Sequence, residues 1–236
     1  MVRKDVDARK MSTAGNTIIC STLALLVVFS TGAIPATSSP CQDIKVPPDA
    51  EKSANRRTGL EFTYTSEYRR EFDQAIRSAK EACQKHLGER HVAIVSDIDE
   101  TLLDNREEIK RHPDFTRPQF WSWMGESKAP VLKPTARFLA WAREHGFAIF
   151  LVTGRQEYLR PATILDLVLD QVAYDGLFMR ETGNDQQAET IKLPYREAIE
   201  KMGFKIIVNI GDQWSDLTGG HAENCIKLPN RMYFIR

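Results

Sequence analysis

Two aspartates two positions apart, Asp97 and Asp99, directly follow the apolar run Val92-Ala93-Ile94-Val95. Carboxylates at this spacing suit covalent group transfer. One can attack phosphorus and form an acyl phosphate, dividing one hard displacement into two easier ones. The other can protonate the departing oxygen and then deprotonate the incoming water. Anion attacking anion calls for a hard divalent cation with oxygen ligands. Asp97, Asp99 through its backbone carbonyl, and Asp212 are the expected ligands of Mg²⁺, which keeps several waters and needs few protein groups. Such a site also needs a fixed positive charge. Lys192 is the first candidate and Arg196, one turn on, the second. Thr153 offers a hydroxyl to a phosphoryl oxygen, or else a cap for the following helix. Asp216 can hold the metal through water, orient Asp212, or cap a helix. Arg155 reads as a surface arginine, with a phosphate or substrate contact as the alternative.

These residues need elements to bring them together. Short β-branched apolar runs at residues 92–95, 147–152 and 204–210 predict buried strands, with weaker candidates at 176–179 and 225–228. Helical spacing places Phe72, Ala75, Ile76, Ala79, Cys83 and Leu87 on one face of a helix over 66–87. Further helices are expected from Pro134 to a stop at Gly146, from Pro161 with Ile164, Leu165, Val168 and Val172 inward, and from Pro194 with Ala198, Ile199 and Met202 inward to Gly203. Strands alternating with helices predict an α/β fold with a central parallel sheet covered on both faces. Ligands of such sheets bind beyond the carboxyl ends of the strands. Each strong strand is followed there by polar residues: Asp97-Ile98-Asp99-Glu100-Thr101, Thr153-Gly154-Arg155, and Gly211-Asp212-Gln213-Trp214-Ser215-Asp216.

Composition bounds the alternatives. The 236 residues carry 32 basic and 32 acidic side chains, which argues against a nucleic-acid binder. A mean hydropathy of −0.38 excludes a polytopic membrane protein. Arg3, Lys4, Arg9 and Lys10 precede an apolar run over 18–29 and a small-residue exit ending at Ala36, the pattern of a secretory signal peptide over residues 1–36. The run is shorter than the roughly 20 residues of a membrane span, so no stable span is expected after cleavage; an uncleaved anchor is the alternative. Removal would leave 28 basic and 30 acidic side chains and an exported protein, periplasmic or secreted. Residues 37–60, rich in Ser, Pro and charge, read as a linker. Cys41, Cys83 and Cys225 then permit one disulfide, with the pairing open. The five histidines form no spaced pair and none is assigned to catalysis.

The motif Asp97-Ile98-Asp99-Glu100-Thr101-Leu102-Leu103-Asp104-Asn105 resembles the first motif of the haloacid dehalogenase (HAD) superfamily. Gly211-Asp212-Gln213-Trp214-Ser215-Asp216-Leu217 is similar to the last motif of its subfamily IIIB, which holds plant acid phosphatases, vegetative storage proteins and bacterial class C acid phosphatases. Leu228-Pro229-Asn230-Arg231-Met232-Tyr233 is similar to that group's C-terminal tail. The resemblance implies a three-layer Rossmann-like fold over 61–236, with a small cap at 106–131 inserted after the first strand. It implies Asp97 as nucleophile, Asp99 as acid/base, Thr153 and Lys192 on phosphate, and Mg²⁺ on Asp97, Asp99 and Asp212. A small phosphorylated substrate is the expected partner. The cap aromatics Phe115, Phe120, Trp121 and Trp123 suggest a nucleoside monophosphate, unless they are core. The competing readings are a non-catalytic storage or binding protein on this fold, and a phosphotransferase or 5'-nucleotidase. Retention of Asp97 favours an enzyme.

Overall fold

A computed structural model describes Cys41 and residues 44–235. The expected signal peptide, residues 1–36, and the first four positions of the expected linker lie outside the described residues. Residues 44–60, expected as linker, instead carry α1 (Ala50–Ser53) and the start of α2 (Arg56–Thr63). Asn55 caps α2, its side chain accepting from Thr58 N at 3.1 Å, and Phe62 and Thr63 bury its inner side. Cys41 is bonded to Cys225, with 5.5 Å between their Cα atoms, and the free Cys83 is buried.

Then follow α3 (Ser66–Gln84), β1 (Val92–Ser96), α4 (Arg106–Arg111), α5 (Arg117–Met124), α6 (Lys133–Glu144) and β2 (Ala148–Gln156). The chain continues through α7 (Arg160–Leu169), β3 (Gly176–Arg180), α8 (Ala188–Lys201), β4 (Lys205–Gly211), α9 (Trp214–Leu217) and β5 (Asn224–Lys227). The strands form one parallel sheet in the order β3-β2-β1-β4-β5. Alternation along the strands divides its faces. Ile94, Ile149, Leu151, Val208 and Ile210 pack with Phe72 of α3, Phe138 of α6 and Leu167 of α7. Ala93, Val95, Phe150, Val152 and Ile206 pack with Ile199 of α8. The α/β architecture with helices on both sides agrees with the expectation. Among the described residues no helix is long and apolar enough to cross a membrane.

Three local expectations are corrected. The helix expected to begin at Pro194 begins at Ala188, and Pro194 lies inside it. An interior proline costs about 3 kcal/mol, and buried Ile191, Lys192, Arg196 and Ile199 on the inner side of α8 hold the helix despite it. In α7 the apolar periodicity selects the wrong face: Leu165 and Val168 are exposed, whereas Thr163, Asp166 and Leu167 are buried. The polar pair is buried because it serves an internal arginine described below. Leu87 is exposed beyond the end of α3, as is Met202 beyond α8.

The disulfide closes the loop from Cys41, ahead of the first helices, to edge strand β5, with a separation of 184 residues. Replacing Cys225 by Ser is expected to lower unfolding stability by about 2–5 kcal/mol. Denaturant titration of the oxidised wild type and variant measures it, and coincident curves would contradict the expectation.

Candidate active site

Because β1 is flanked by β2 on one side and β4 on the other, the chain reverses its direction of sheet growth between them. That switch point opens a crevice at the carboxyl ends of β1 and β4. Asp97 follows β1 there, its N–H donating to Ile210 O at 2.9 Å, and Asp212 follows β4. From α8, Lys192 Nζ donates to Asp97 Oδ1 at 2.5 Å and to Asp216 Oδ1 at 2.6 Å, all three side chains being buried. Asp216 Oδ2 accepts Gln213 N at 2.8 Å, closing a capping box on α9. A Cβ on Gly211 would sit 2.4 Å from Asp216 Oδ2, so only glycine permits this placement.

Carboxylate oxygens of Asp97, Asp212 and Asp216 lie within 4.8 Å of one another. Burial pushes the Asp97 carboxyl well above the usual range, against Lys192 and together with the neighbouring acids. Burial and then Asp216 push Asp212 up to about 6. Burial opposes the Lys192 charge, but Asp216 and Asp97 outweigh it and hold the ammonium. Three buried carboxyl groups converge with Lys192 bonded to two of them, and the raised Asp97 and Asp212 carboxyls call for a further cation that would favour their charged form. A hard divalent cation with oxygen ligands would supply it, so the residues present fit one. Ser215 lines the same space, and its buried Oγ has no protein partner; an unpaired buried hydroxyl points to a ligand.

Asp99 is placed apart from this triad. Its Oδ1 accepts Asn105 Nδ2 at 2.9 Å and Arg155 Nη2 at 2.8 Å, and its Oδ2 accepts Arg155 Nε at 3.2 Å. Its side chain is therefore not a member of the carboxylate cluster. Arg155 is not on the surface: it is 1 % exposed. Its Nη1 donates to Thr163 Oγ1 at 3.2 Å and Asp166 Oδ2 at 3.3 Å, which accounts for the buried polar face of α7. Thr153 caps no helix. It lies within β2, where its Oγ1 accepts Arg155 N at 3.1 Å. The register of β2 against β3 shifts between Thr153 and Gln156, and this bulge re-aims Arg155 toward Asp99. Arg196 is also turned away from the acids. It donates to the carbonyls of Gly220 at 3.1 Å, Asp216 at 2.8 Å and Thr218, which fixes the loop behind α9.

The acids and Lys192 form the floor of a cavity of about 240 Å³. Residues 106–131 form its wall through Phe115, Phe120, Trp121 and Met124. Phe115 and Phe120 stack with centroids 4.5 Å apart, and Arg56 lies 4.1 Å over Phe115. Trp123 is buried in the core and does not line the cavity.

Residues 24–236 match the family described as HAD superfamily, subfamily IIIB (acid phosphatase). The chain belongs to this family. It is 35 % identical over 149 residues to acid phosphatase 1 of Solanum lycopersicum, covering 60 % of this chain and 58 % of that protein. It is 30 % identical over 153 residues to the stem 28 kDa glycoprotein of Glycine max, covering 60 % and 59 %. The chain thus spans somewhat under two thirds of the length of the curated relatives it matches. The structure of the class C acid phosphatase from Bacillus anthracis shares the fold, with a TM-score of 0.63 at 20 % identity over 78 % of this chain and 86 % of that one.

In this subfamily IIIB chain, sequence reading missed three arginines of the cavity, Arg56, Arg117 and Arg180, and the burial of Arg155. Isolated arginines carry no spacing signal. For Arg155 one existed: Thr163 and Asp166 interrupt the apolar face of α7 at helical spacing. Arg155→Met would leave the buried Asp166 and the partly buried Asp99 without their cation and is expected to cost about 3–5 kcal/mol. A surface arginine would cost about 0.5 kcal/mol or less, so denaturant titration separates the two.

Proposed function

We propose that this protein is a Mg²⁺-dependent acid phosphatase that hydrolyses phosphate monoesters through phospho-Asp97. The observation that carries the reading is Asp97 at the end of β1, held by Lys192 at 2.5 Å beside Asp212 and Asp216, on the floor of a cavity. Asp97, Asp212 and the Asp99 carbonyl would hold the cation, which supplies charge neutralisation at the phosphoryl oxygens.

Lys192 fixes the Asp97 carboxylate and keeps one oxygen directed at its ammonium, leaving the other to attack phosphorus. As the P–O bond to the leaving group breaks, Asp99 delivers a proton to the departing oxygen. Its Oδ2 carries only the longer contact from Arg155 and is the oxygen that can exchange that proton. In the second half of the cycle Asp99 takes a proton from water attacking the acyl phosphate, and phosphate leaves. Lys192, Thr153 and the unpaired hydroxyl of Ser215 donate to the transferring group. Arg56, Arg117 and Arg180 at the cavity favour entry of an anionic ester.

The stacked Phe115 and Phe120 with Trp121 offer an apolar wall to a flat leaving group, which supports an aryl phosphate or a nucleoside monophosphate as substrate. The bond between Cys41 and Cys225 supports an oxidising compartment and hence export, with residues 1–36 as the signal peptide.

Asp97→Asn is expected to abolish turnover of an aryl phosphate, a loss of at least about 1,000-fold, while circular dichroism stays native. Unimpaired turnover would sink the mechanism. Excess EDTA is expected to stop the wild-type reaction and added Mg²⁺ to restore it; activity persisting in EDTA would remove the cation from the account.

A further inference from the structure

The segment 228–235 that follows β5 reaches back to the acids. Asp212 Oδ2 accepts two side-chain amides, Gln213 Nε2 at 2.7 Å and Asn230 Nδ2 at 2.5 Å. Each amide is oriented by the same segment. Asn230 Oδ1 accepts Met232 N at 2.8 Å, and Gln213 Oε1 accepts Ile235 N at 3.0 Å. A backbone N–H can meet only the carbonyl oxygen of a carboxamide, so both NH₂ groups must face Asp212. Oδ1 of Asp212 is left with one long contact, Thr101 Oγ1 at 3.4 Å. Lys227 Nζ donates to Leu228 O at 2.7 Å rather than to Asp212.

The segment is itself anchored away from the cavity. Leu228 N donates to Gly211 O at 2.9 Å, and Asn55 N donates to Arg231 O at 2.9 Å. The Arg231 guanidinium lies 3.5 Å over the Phe62 ring and reaches Glu71 at 2.7 Å. A Cβ on Gly59 would sit 2.3 Å from the Arg231 carbonyl group, so α2 admits this close approach only through glycine.

We propose that segment 228–235 is a positioning device for the divalent cation: through Asn230 and the Ile235 N–H it turns Asp212 so that Oδ1 alone faces the ion. Neutral amides orient the carboxylate without cancelling its charge, unlike Lys192 at Asp97 and Asp216. Outer partners of this kind commonly set metal affinity by about 10–100-fold. The inference rests on the cation assigned above to the Asp97 and Asp212 pair.

Calorimetric titration of the full chain with Mg²⁺ alone tests it without reference to turnover. Asn230→Leu is expected to weaken binding about 10–100-fold. Ile235→Pro removes one N–H from a half-exposed position and keeps every side chain that touches Asp212. It is expected to weaken binding by roughly 2–10-fold, the equivalent of one hydrogen bond. Ile235→Ala, which keeps the N–H, is expected to bind like wild type. Should Asn230→Leu fail to fold, the Ile235 pair decides alone. Wild-type affinity in Ile235→Pro, or equal loss in Ile235→Ala, overturns the positioning role. A wild type that binds no Mg²⁺ overturns the cation assignment itself, and the inference with it.

Discussion

One ammonium between two carboxylates organises the site. Lys192 is buried on α8, and its charge is compatible with burial only because Asp97 and Asp216 both meet it. Much of the surrounding structure maintains that geometry. Gly211 leaves room for Asp216, the Gln213 N–H holds its second oxygen, and Arg196 and Asn209 fix its backbone carbonyl at 2.8 Å each. Placing Lys192 one turn into a helix that contains Pro194 costs backbone regularity, which the ion pairs and the packing of Ile191 and Ile199 offset.

A second charged network stands on the other side of β1. Arg155 joins Asp99 to Thr163 and Asp166 and so couples the motif after β1 to the inner face of α7. The two networks hold Asp97 and Asp99, two residues apart, in different surroundings. Asp97 is fixed by a lysine among acids, whereas Asp99 is held by an arginine and an amide at the cavity edge. Distinct surroundings are what allow neighbouring carboxylates to take distinct roles. The motif loop is further tied by Glu100, which accepts Asn105 N at 3.0 Å and the Tyr233 hydroxyl.

The parallel sheet was legible because its strands are short β-branched runs followed by polar residues. The family was legible because Asp97 to Asn105 and Gly211 to Leu217 are long motifs. Lys192 was readable as a charge but not as a buried one, since burial depends on two partners 95 and 24 residues away. The helix around it was misplaced because proline statistics favour a first turn, while tertiary packing decided otherwise. Leu165 and Val168 misled for a related reason: periodicity counts apolar residues, whereas α7 turns inward the polar ones that Arg155 requires. The segment after β5 gave its motif but not its task. It meets Asp212 through the Asn230 side chain and Gln213 through the Ile235 N–H, and the backbone N–H groups that orient both amides are encoded by no side-chain pattern.

The proposed cycle requires Asp97 to form a covalent bond to phosphorus during turnover. Rapid acid quenching of the full chain with a ³²P-labelled aryl phosphate and Mg²⁺, followed by peptide mapping, reads this directly. Label is expected on the peptide that contains Asp97, appearing before free phosphate reaches its steady rate. Steady release of phosphate with no label on the protein, or with label on a different residue, would contradict it.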